Sequence, residues 1–486
     1  MAYYIGIDLG TSAVKMIMMA ADGEIVRSVS KDYPLYFPQT GWSEQDPRDW
    51  WSAVLGGMKE LVGNDGGEVR GISFGGQMHG LVTLDENDEV IRNAILWNDG
   101  RSAPQCEYLN GVIGKKTLSS YTANIAFAGF TAPKILWMRE NEPDLFARIK
   151  KIMLPKDYLA YMLTGSFCTD MSDASGMLLL DVEHRCWSKE MMQIVGISEE
   201  MLPKLYESSD VVGTVKPSVA DEIGIGHDVR VIAGAGDNAA AAIGTGTVKD
   251  GMCNISLGTS GTVFIARDGF SVDENNALHS FAHSNGKYHL MGCMLSAASC
   301  EKWFVKGILD GGNYDDEENA IKTLGENKVF FLPYLMGERS PHNDPDVRAM
   351  YIGMSMDTTR ADMVAATLEG VSFALRDSIE IAREGGEIVR STICGGGAKS
   401  PLWCEMTANI LNMEIVTLEK EEGPAFGAAI LAAVGCGEYK DVEEAADRLI
   451  KQKRVFKPTP EIAAKYDERY AQFKRLYPAI RALYKN

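Results

Sequence analysis

The sequence predicts an α/β protein of two related halves. Three observations predict it: strand-length apolar runs alternate with helix-length segments, one strand-turn-strand pattern occurs twice, and 486 residues exceed one ordinary domain. The repeated pattern is the most specific of the three. Ile7-Asp8-Leu9-Gly10-Thr11-Ser12 is followed by an apolar run over 14–19, and Ile255-Ser256-Leu257-Gly258-Thr259-Ser260 by one over 262–265. Each copy reads as a β-hairpin with Leu-Gly-Thr-Ser at its tip.

The copies differ in one informative place. The first carries a carboxylate before its tip, Asp8, and the second a hydroxyl, Ser256. A carboxylate there suits a hydrated Mg²⁺, whereas Gly and Thr amides and hydroxyls suit phosphate oxygens. Asp8 also reads as a simple turn cap.

Between the hairpins, strands are expected over 69–74 and 229–233, with helices over 50–62 and 132–140. In the second half, residues 330–333 end a strand, 361–383 form a long helix, and 388–394 run into Gly395-Gly396-Gly397-Ala398. Tyr466, Tyr470, Phe473 and Tyr477 recur at helical spacing and predict a packing face. No low-complexity linker occurs, so the domains are expected as 1–247 and 248–486, joined compactly near 244–250.

With 45% apolar and 24% charged residues the chain is globular in composition. Its 48 basic against 67 acidic residues give a net charge of −19, which repels nucleic acid and anionic membranes. Any phosphate must therefore be held locally, by amides or a metal. Nine scattered cysteines without a C-x-x-C pair predict free thiols in a reducing cytoplasm. The N-terminus has no basic region before Asp8, predicting no secretory leader, and the longest apolar run, 425–434, predicts a packed helix.

Three glycine-rich turns carry candidate chemistry. Gly234-Ala235-Gly236-Asp237-Asn238 follows a strand and opens an Ala-rich helix. Open α/β sheets bind ligands at such strand ends, where Asp237 could take a proton from a hydroxyl that attacks a phosphate. It could equally cap the helix. Gly395-Gly396-Gly397-Ala398 suits a nucleotide lying against backbone amides, although G-x-x-x-x-G-K-[ST] and a helix-opening G-x-G-x-x-G are both absent. Gly75-Gly76-Gln77-Met78-His79-Gly80 offers polar groups for sugar hydroxyls and a methionine wall.

Trp97-Asn98-Asp99-Gly100-Arg101, with its aromatic, suits a sugar pocket. Pro155-Lys156-Asp157 and Asp170-Met171-Ser172-Asp173 read as polar, solvated turns. His279 and His283 have metal-ligand spacing only on a helix, and lack a supporting Cys or carboxylate pattern.

Taken together, these stretches resemble the FGGY carbohydrate kinases. The motifs run in order from Ile5-Gly6-Ile7-Asp8 through Trp42-Ser43-Glu44-Gln45-Asp46-Pro47, Leu154-Pro155-Lys156-Asp157-Tyr158-Leu159 and Pro333-Tyr334-Leu335-Met336-Gly337-Glu338-Arg339 to Gly395-Gly396-Gly397-Ala398. The resemblance implies two actin-like (ribonuclease-H-like) domains with an interdomain catalytic cleft, sugar on the first and ATP on the second. It implies Asp237 as catalytic base and Asp8 as a second residue needed for activity, near Mg²⁺ and holding it through water. Met78, His79 and Asn238 would contact the sugar, with Trp97 and Asp99 beside them. Thr11, Gly258, Thr259, Gly396, Gly397 and Ala398 would contact ATP. The family's Gly-Gly-Gly-Asp is here Gly234-Ala235-Gly236-Asp237, acceptable unless residue 235 needs positive φ.

Within the family, the Gln-Met-His-Gly and Trp-Asn-Asp-Gly-Arg stretches look most like those of bacterial members acting on D-xylulose. The expected reaction is ATP-dependent phosphorylation at its terminal hydroxyl, in the cytoplasm, by a protein whose resemblance allows a homodimer. Other acceptors of the family, another ketopentulose, a deoxy ketose or gluconate, stay open. So does an actin-like chaperone or cytoskeletal ATPase, which would bind polypeptide instead of sugar.

Overall fold

Both copies of the Leu-Gly-Thr-Ser pattern are hairpin tips in the computed structural model, which describes residues 2–484. The first joins β1 (Tyr3–Leu9) to β2 (Ala13–Ala20), closed by the Gly10 amide donating to Ala13 O at 3.1 Å. β3 (Ile25–Asp32) continues antiparallel beside β2. On the other side, β4 (Val69–Gly76) runs parallel to β1, then β5 (Arg230–Ile232) parallel to β4. The order is β3-β2-β1-β4-β5, with Val211–Thr214 beyond β5. A short β6 (Ala235–Gly236) pairs with the end of β4.

The second sheet repeats this plan. β7 (Met252–Leu257) and β8 (Gly261–Arg267) form the hairpin, and β9 (Tyr288–Met294) lies beside β8. β10 (Arg390–Cys394) is parallel to β7, and β11 (Glu414–Leu418) to β10, giving β9-β8-β7-β10-β11. Two sheets of one topology, each with its own helices, give the two related halves that the repeated hairpin predicts and the two actin-like domains that the family resemblance implies.

The expected helices form, with slightly wider bounds. Pro47–Val62 starts at Asp46, whose carboxylate accepts from the Arg48 amide, with Pro47 at the first helical position. Thr131–Asn141 and Arg360–Arg383 cover the other two predictions. The aromatic stripe lies on Pro460–Phe473 and just beyond it, with Tyr466, Tyr470, Phe473 and Tyr477 in the second core.

The domain division is where the chain departs from expectation. The first compact unit runs through Val248 and also takes Ser280–Tyr288 and Glu422–Ile450; the second holds Lys249–His279, His289–Glu421 and the chain from Lys451. A single cut after 247 therefore misses two returns. The larger return has a steric cause. Helix Pro424–Cys436 is built from small residues and packs on β1 and β4. Alternate residues of β1 face opposite ways, so Ile5, Ile7 and Leu9 join the core with Trp50 and Val54 while Gly6 meets this helix. A Cβ on Gly6 would lie 2.0 Å from Ala425 O, and one on Gly427 1.8 Å from Ala240 O.

Candidate active site

The strand ends of the first sheet bring the predicted residues of the first unit together. In register, Asp8 sits opposite Gly75 on β4, and Gly75 opposite Ala235 on β6, so Asp8 and Asp237 lie at the ends of the two strands that flank the end of β4. Gly234 turns the chain between β5 and β6 with φ 81°, where a Cβ would lie 2.5 Å from Phe74 O. The left-handed residue is thus Gly234; Ala235 is an ordinary, fully buried strand residue.

Asp237 is the first residue of helix Asp237–Gly244, but it does not cap that helix. Its Oδ1 accepts from the Asn238 amide at 2.7 Å and from Asn238 Nδ2 at 2.9 Å. Among the described residues, nothing donates to Oδ2. Burial pushes the Asp237 carboxyl up to about 6, against the two Asn238 hydrogen bonds, which favour its charged form. Asn238 gives its backbone N–H and one Nδ2 hydrogen to Asp237, which leaves its side-chain oxygen and second Nδ2 hydrogen for a ligand.

Asp8 is raised to about 7, first by burial and then by the Asp237 charge, while Lys15 works in the opposite direction. Lys15 itself is ion-paired to Glu422. Among the described residues, nothing donates a hydrogen bond to the Asp8 carboxylate. A half-buried, unbonded carboxylate beside a second one is a hard-oxygen donor set that fits a hydrated Mg²⁺. No group of three or more His, Cys, Asp or Glu suited to direct ligation occurs among the described residues. His279 opens a strand, His279–Ala282, so helical spacing to His283 does not apply.

Met78 is buried and packs on the base-bearing turn; a Cβ on Gly236 would lie 2.9 Å from Met78 Cγ. His79 holds φ 71°, and its Nδ1 donates to Gly176 O at 2.8 Å, which places the neutral ring's lone pair on Nε2. The His79 carbonyl accepts from Thr131 Oγ1 at 3.0 Å and Lys134 Nζ at 2.9 Å, and Lys134 Nζ also reaches Gly129 O at 2.7 Å. Lys134 is fully buried, and burial brings it down to about 7.

Trp97 is half-exposed, and its indole N–H donates to Thr11 Oγ1 at 2.9 Å. The Thr11 hydroxyl is thereby tied to the Trp97 turn. Asp99 is 2% exposed. Its oxygens accept from the Ser43 amide at 2.6 Å and from Arg101 N, Nε and Nη2 at 2.8–2.9 Å. Arg101 in turn lies 3.7 Å from the centroid of the Trp42 ring. Asp99 is spent on holding this turn and has no oxygen to spare for a ligand.

The segments read as solvated turns are buried instead. Lys156, Asp157, Asp170 and Asp173 are each at most 2% exposed, with Lys156 Nζ 2.8 Å from both Asp157 Oδ1 and Asp170 Oδ1 and 3.6 Å from Asp173 Oδ2. Charged residues at turn-like spacing look solvated in sequence, and only the fold shows them paired.

In the second unit, Gly258, Thr259, Gly396 and Gly397 line one cavity of about 700 Å³. Glu301, Tyr314, Lys399 and Ser400 also line it, and none of these four is marked by the sequence motifs. Ala398 is buried inside the turn Gly397–Lys399 rather than on the cavity wall. Gly395 holds φ 92°, and a Cβ there would lie 2.6 Å from Leu257 O, so the turn lies flat against the hairpin tip. Burial and the neighbouring Glu318 push Glu301 up to about 8.

Known proteins resemble the chain over nearly its whole length. Residues 3–244 match the N-terminal domain of the FGGY family of carbohydrate kinases, and 253–436 the C-terminal domain. The chain is 39% identical over 484 residues to the xylulose kinase of Bacillus subtilis, covering 98% of this chain and 97% of that protein. Two crystal structures from Lactobacillus acidophilus each superpose with a TM-score of 0.96 at 27% identity. One is a ligand-bound xylulose kinase, covering 100% of this chain and 99% of that one; the other is a gluconate kinase, covering 99% of each.

Proposed function

The chain belongs to the FGGY family of carbohydrate kinases, and on that premise we propose that it transfers the γ-phosphoryl group of ATP to the terminal hydroxyl of D-xylulose. The observation that carries this reading is Asp237 Oδ2, an open carboxylate oxygen at a strand end, against Met78 and held through Oδ1 by Asn238. The choice of ketose leans on whole-length identity to a xylulose kinase. Fold similarity does not select the sugar, since a gluconate kinase superposes equally well.

Asp237 Oδ2 accepts the hydroxyl proton as that oxygen forms its bond to Pγ and the bond from Pγ to the bridging oxygen breaks, releasing ADP. The Asn238 oxygen and the His79 ring fix the sugar's other hydroxyls, and the exposed Trp97 indole covers its C–H face. Asp99 supports the Trp97 turn. The amides of Gly258 and Thr259 and the Gly396-Gly397 turn receive the nucleotide. Thr11 keeps the first hairpin tip in place against Trp97. Asp8 would hold Mg²⁺ through water, and bound Mg²⁺ supplies charge neutralisation at the phosphates. Site closure against water favours the sugar over hydrolysis.

The test is ADP release measured across a panel of sugars with MgATP. Strong stimulation by D-xylulose is expected. Stimulation by gluconate or a deoxy ketose alone would reassign the acceptor. A sugar-independent rate that responds to polypeptide would overturn the kinase reading of the site.

A further inference from the structure

One buried segment touches both sides of the candidate sugar site. Within residues 170–177, Ser172 Oγ accepts from the Gly236 amide at 3.2 Å, and Gly176 O accepts from His79 Nδ1 at 2.8 Å. Asp170 anchors the segment. Its Oδ2 accepts from the Ser172 amide at 2.8 Å, the Ser172 hydroxyl at 2.6 Å and the Ser208 hydroxyl at 2.8 Å, while its Oδ1 pairs with Lys156. The Ser172 hydroxyl donates to Asp170 and accepts from Gly236, so both its roles are used and its rotamer is locked. Lys156 has little room to shift: a Cβ on Gly76 would lie 2.7 Å from Lys156 Cβ.

Asp173 completes the cluster, with Lys156 Nζ 3.6 Å from its Oδ2. Both oxygens of Asp173 lack hydrogen-bond partners. Burial holds its carboxyl well above the usual range; Lys156 opposes this, while Asp157, Asp170 and Asp237 add to it.

We propose that Ser172, locked by the Lys156–Asp170 ion pair, is a positioning residue for the catalytic base: it holds the Gly236 amide and thereby aims the Asp237 carboxylate. Gly176, at the far end of the same segment, aims His79, so one buttress sets the base and a sugar contact relative to each other. This rests on Asp237 being the base.

The experiment uses the full chain carrying Ser172→Ala, Ser172→Cys, Asp237→Asn, and Ser172→Ala with Asp237→Asn, each measured for kcat, both KM values and melting temperature. Ser172→Ala should lower kcat by about 10- to 100-fold, the scale expected when a reacting group is misplaced by about 1 Å, with KM for sugar and ATP unchanged. Ser172→Cys keeps a weak acceptor at the Gly236 amide and should retain more activity. With Asp237→Asn in place, Ser172→Ala should cost nothing further, because the group it aims is gone. Wild-type kcat in Ser172→Ala, or an equal loss in the Asp237→Asn background, overturns the proposal. So does a loss of ATP binding and melting temperature in both Ser172 variants, since that marks a general structural role. Wild-type kcat in Asp237→Asn alone instead removes the base, and the proposal with it.

Discussion

At Asp237 two requirements of a general base meet: an oxygen open to substrate and a proton affinity near working pH. Burial supplies the second by raising the carboxyl to about 6, and Asn238 limits the rise. Replacing Asp237 with Asn should lower kcat by about 10²- to 10⁴-fold while ATP binding, followed by calorimetry, stays intact. On the proposed reading the base acts ionised, so kcat/KM is expected to be full above this range and to fall as pH drops through about 6, with Asp8 coupled to the same limb. Asp8 carries a stability consequence of opposite sense. Its folded-state value, about 7 against 3.8, means the folded protein binds more protons, so its contribution is favourable at low pH and lost as pH rises through 7. Asp8→Asn should therefore melt higher than the wild type at pH 8, with a smaller gain at pH 5 and none below the unfolded value of 3.8, measured by scanning calorimetry. The motif residues were legible because glycines and strand ends mark them locally. Asp99, Lys156 and Asp170 were not, because partners of Asp99 and Asp170 lie far along the chain, Asp99 with Ser43 56 positions away and Asp170 with Ser208 38 away, and Lys156 pairs with Asp170 in a separate element.

Among the elements, helix Pro424–Cys436 shows how a composition becomes a contact. Its Ala and Gly content made it readable as a packed helix, but nothing local says which sheet it packs on. The answer lies in small residues at close approach: a Cβ on Gly6 of β1 would lie 2.0 Å from Ala425 O of this helix, and one on Gly427 would lie 1.8 Å from Ala240 O of helix Asp237–Gly244. Gly427→Ala should thus cost about 1–3 kcal/mol, as overpacking does in a filled core. Gly56 gives the contrast: it is exposed in helix Pro47–Val62 with nothing within 4 Å of a Cβ. Gly56→Ala should stabilise by about 0.5–1 kcal/mol by removing backbone freedom in a helix. Chemical denaturation of the two variants, read at unchanged m-value, separates the effects. A Gly427→Ala protein as stable as the wild type would show that the helix moves to make room.

Across the whole chain, the repeated hairpin predicted two domains of one plan, and the two sheet orders match it. What the repeat could not convey is that duplication of a topology need not divide the chain in two. Residues 422–450 complete the first unit from beyond most of the second. A fragment ending at Val248 should lack the cover over β1 and β4, bind a hydrophobic dye and melt without cooperativity. A fragment that melts as sharply as the intact protein would contradict this role for helix Pro424–Cys436. The membrane question has a narrower answer: among the described residues, no helix is long and apolar enough to cross a bilayer.

That returning helix also orders events in time. On the ribosome, the first sheet emerges early, yet the helix that seals Gly6 and its neighbours leaves the exit tunnel only after nearly all of the second unit has been made. At ordinary translation speeds the interval is on the order of ten seconds or more. Through it, the nascent first unit presents an uncovered apolar face, open to trigger-type chaperones and to neighbouring chains on the same message. Codon choice between residues 249 and 421, which leaves every side chain unchanged, should therefore alter the yield of soluble protein.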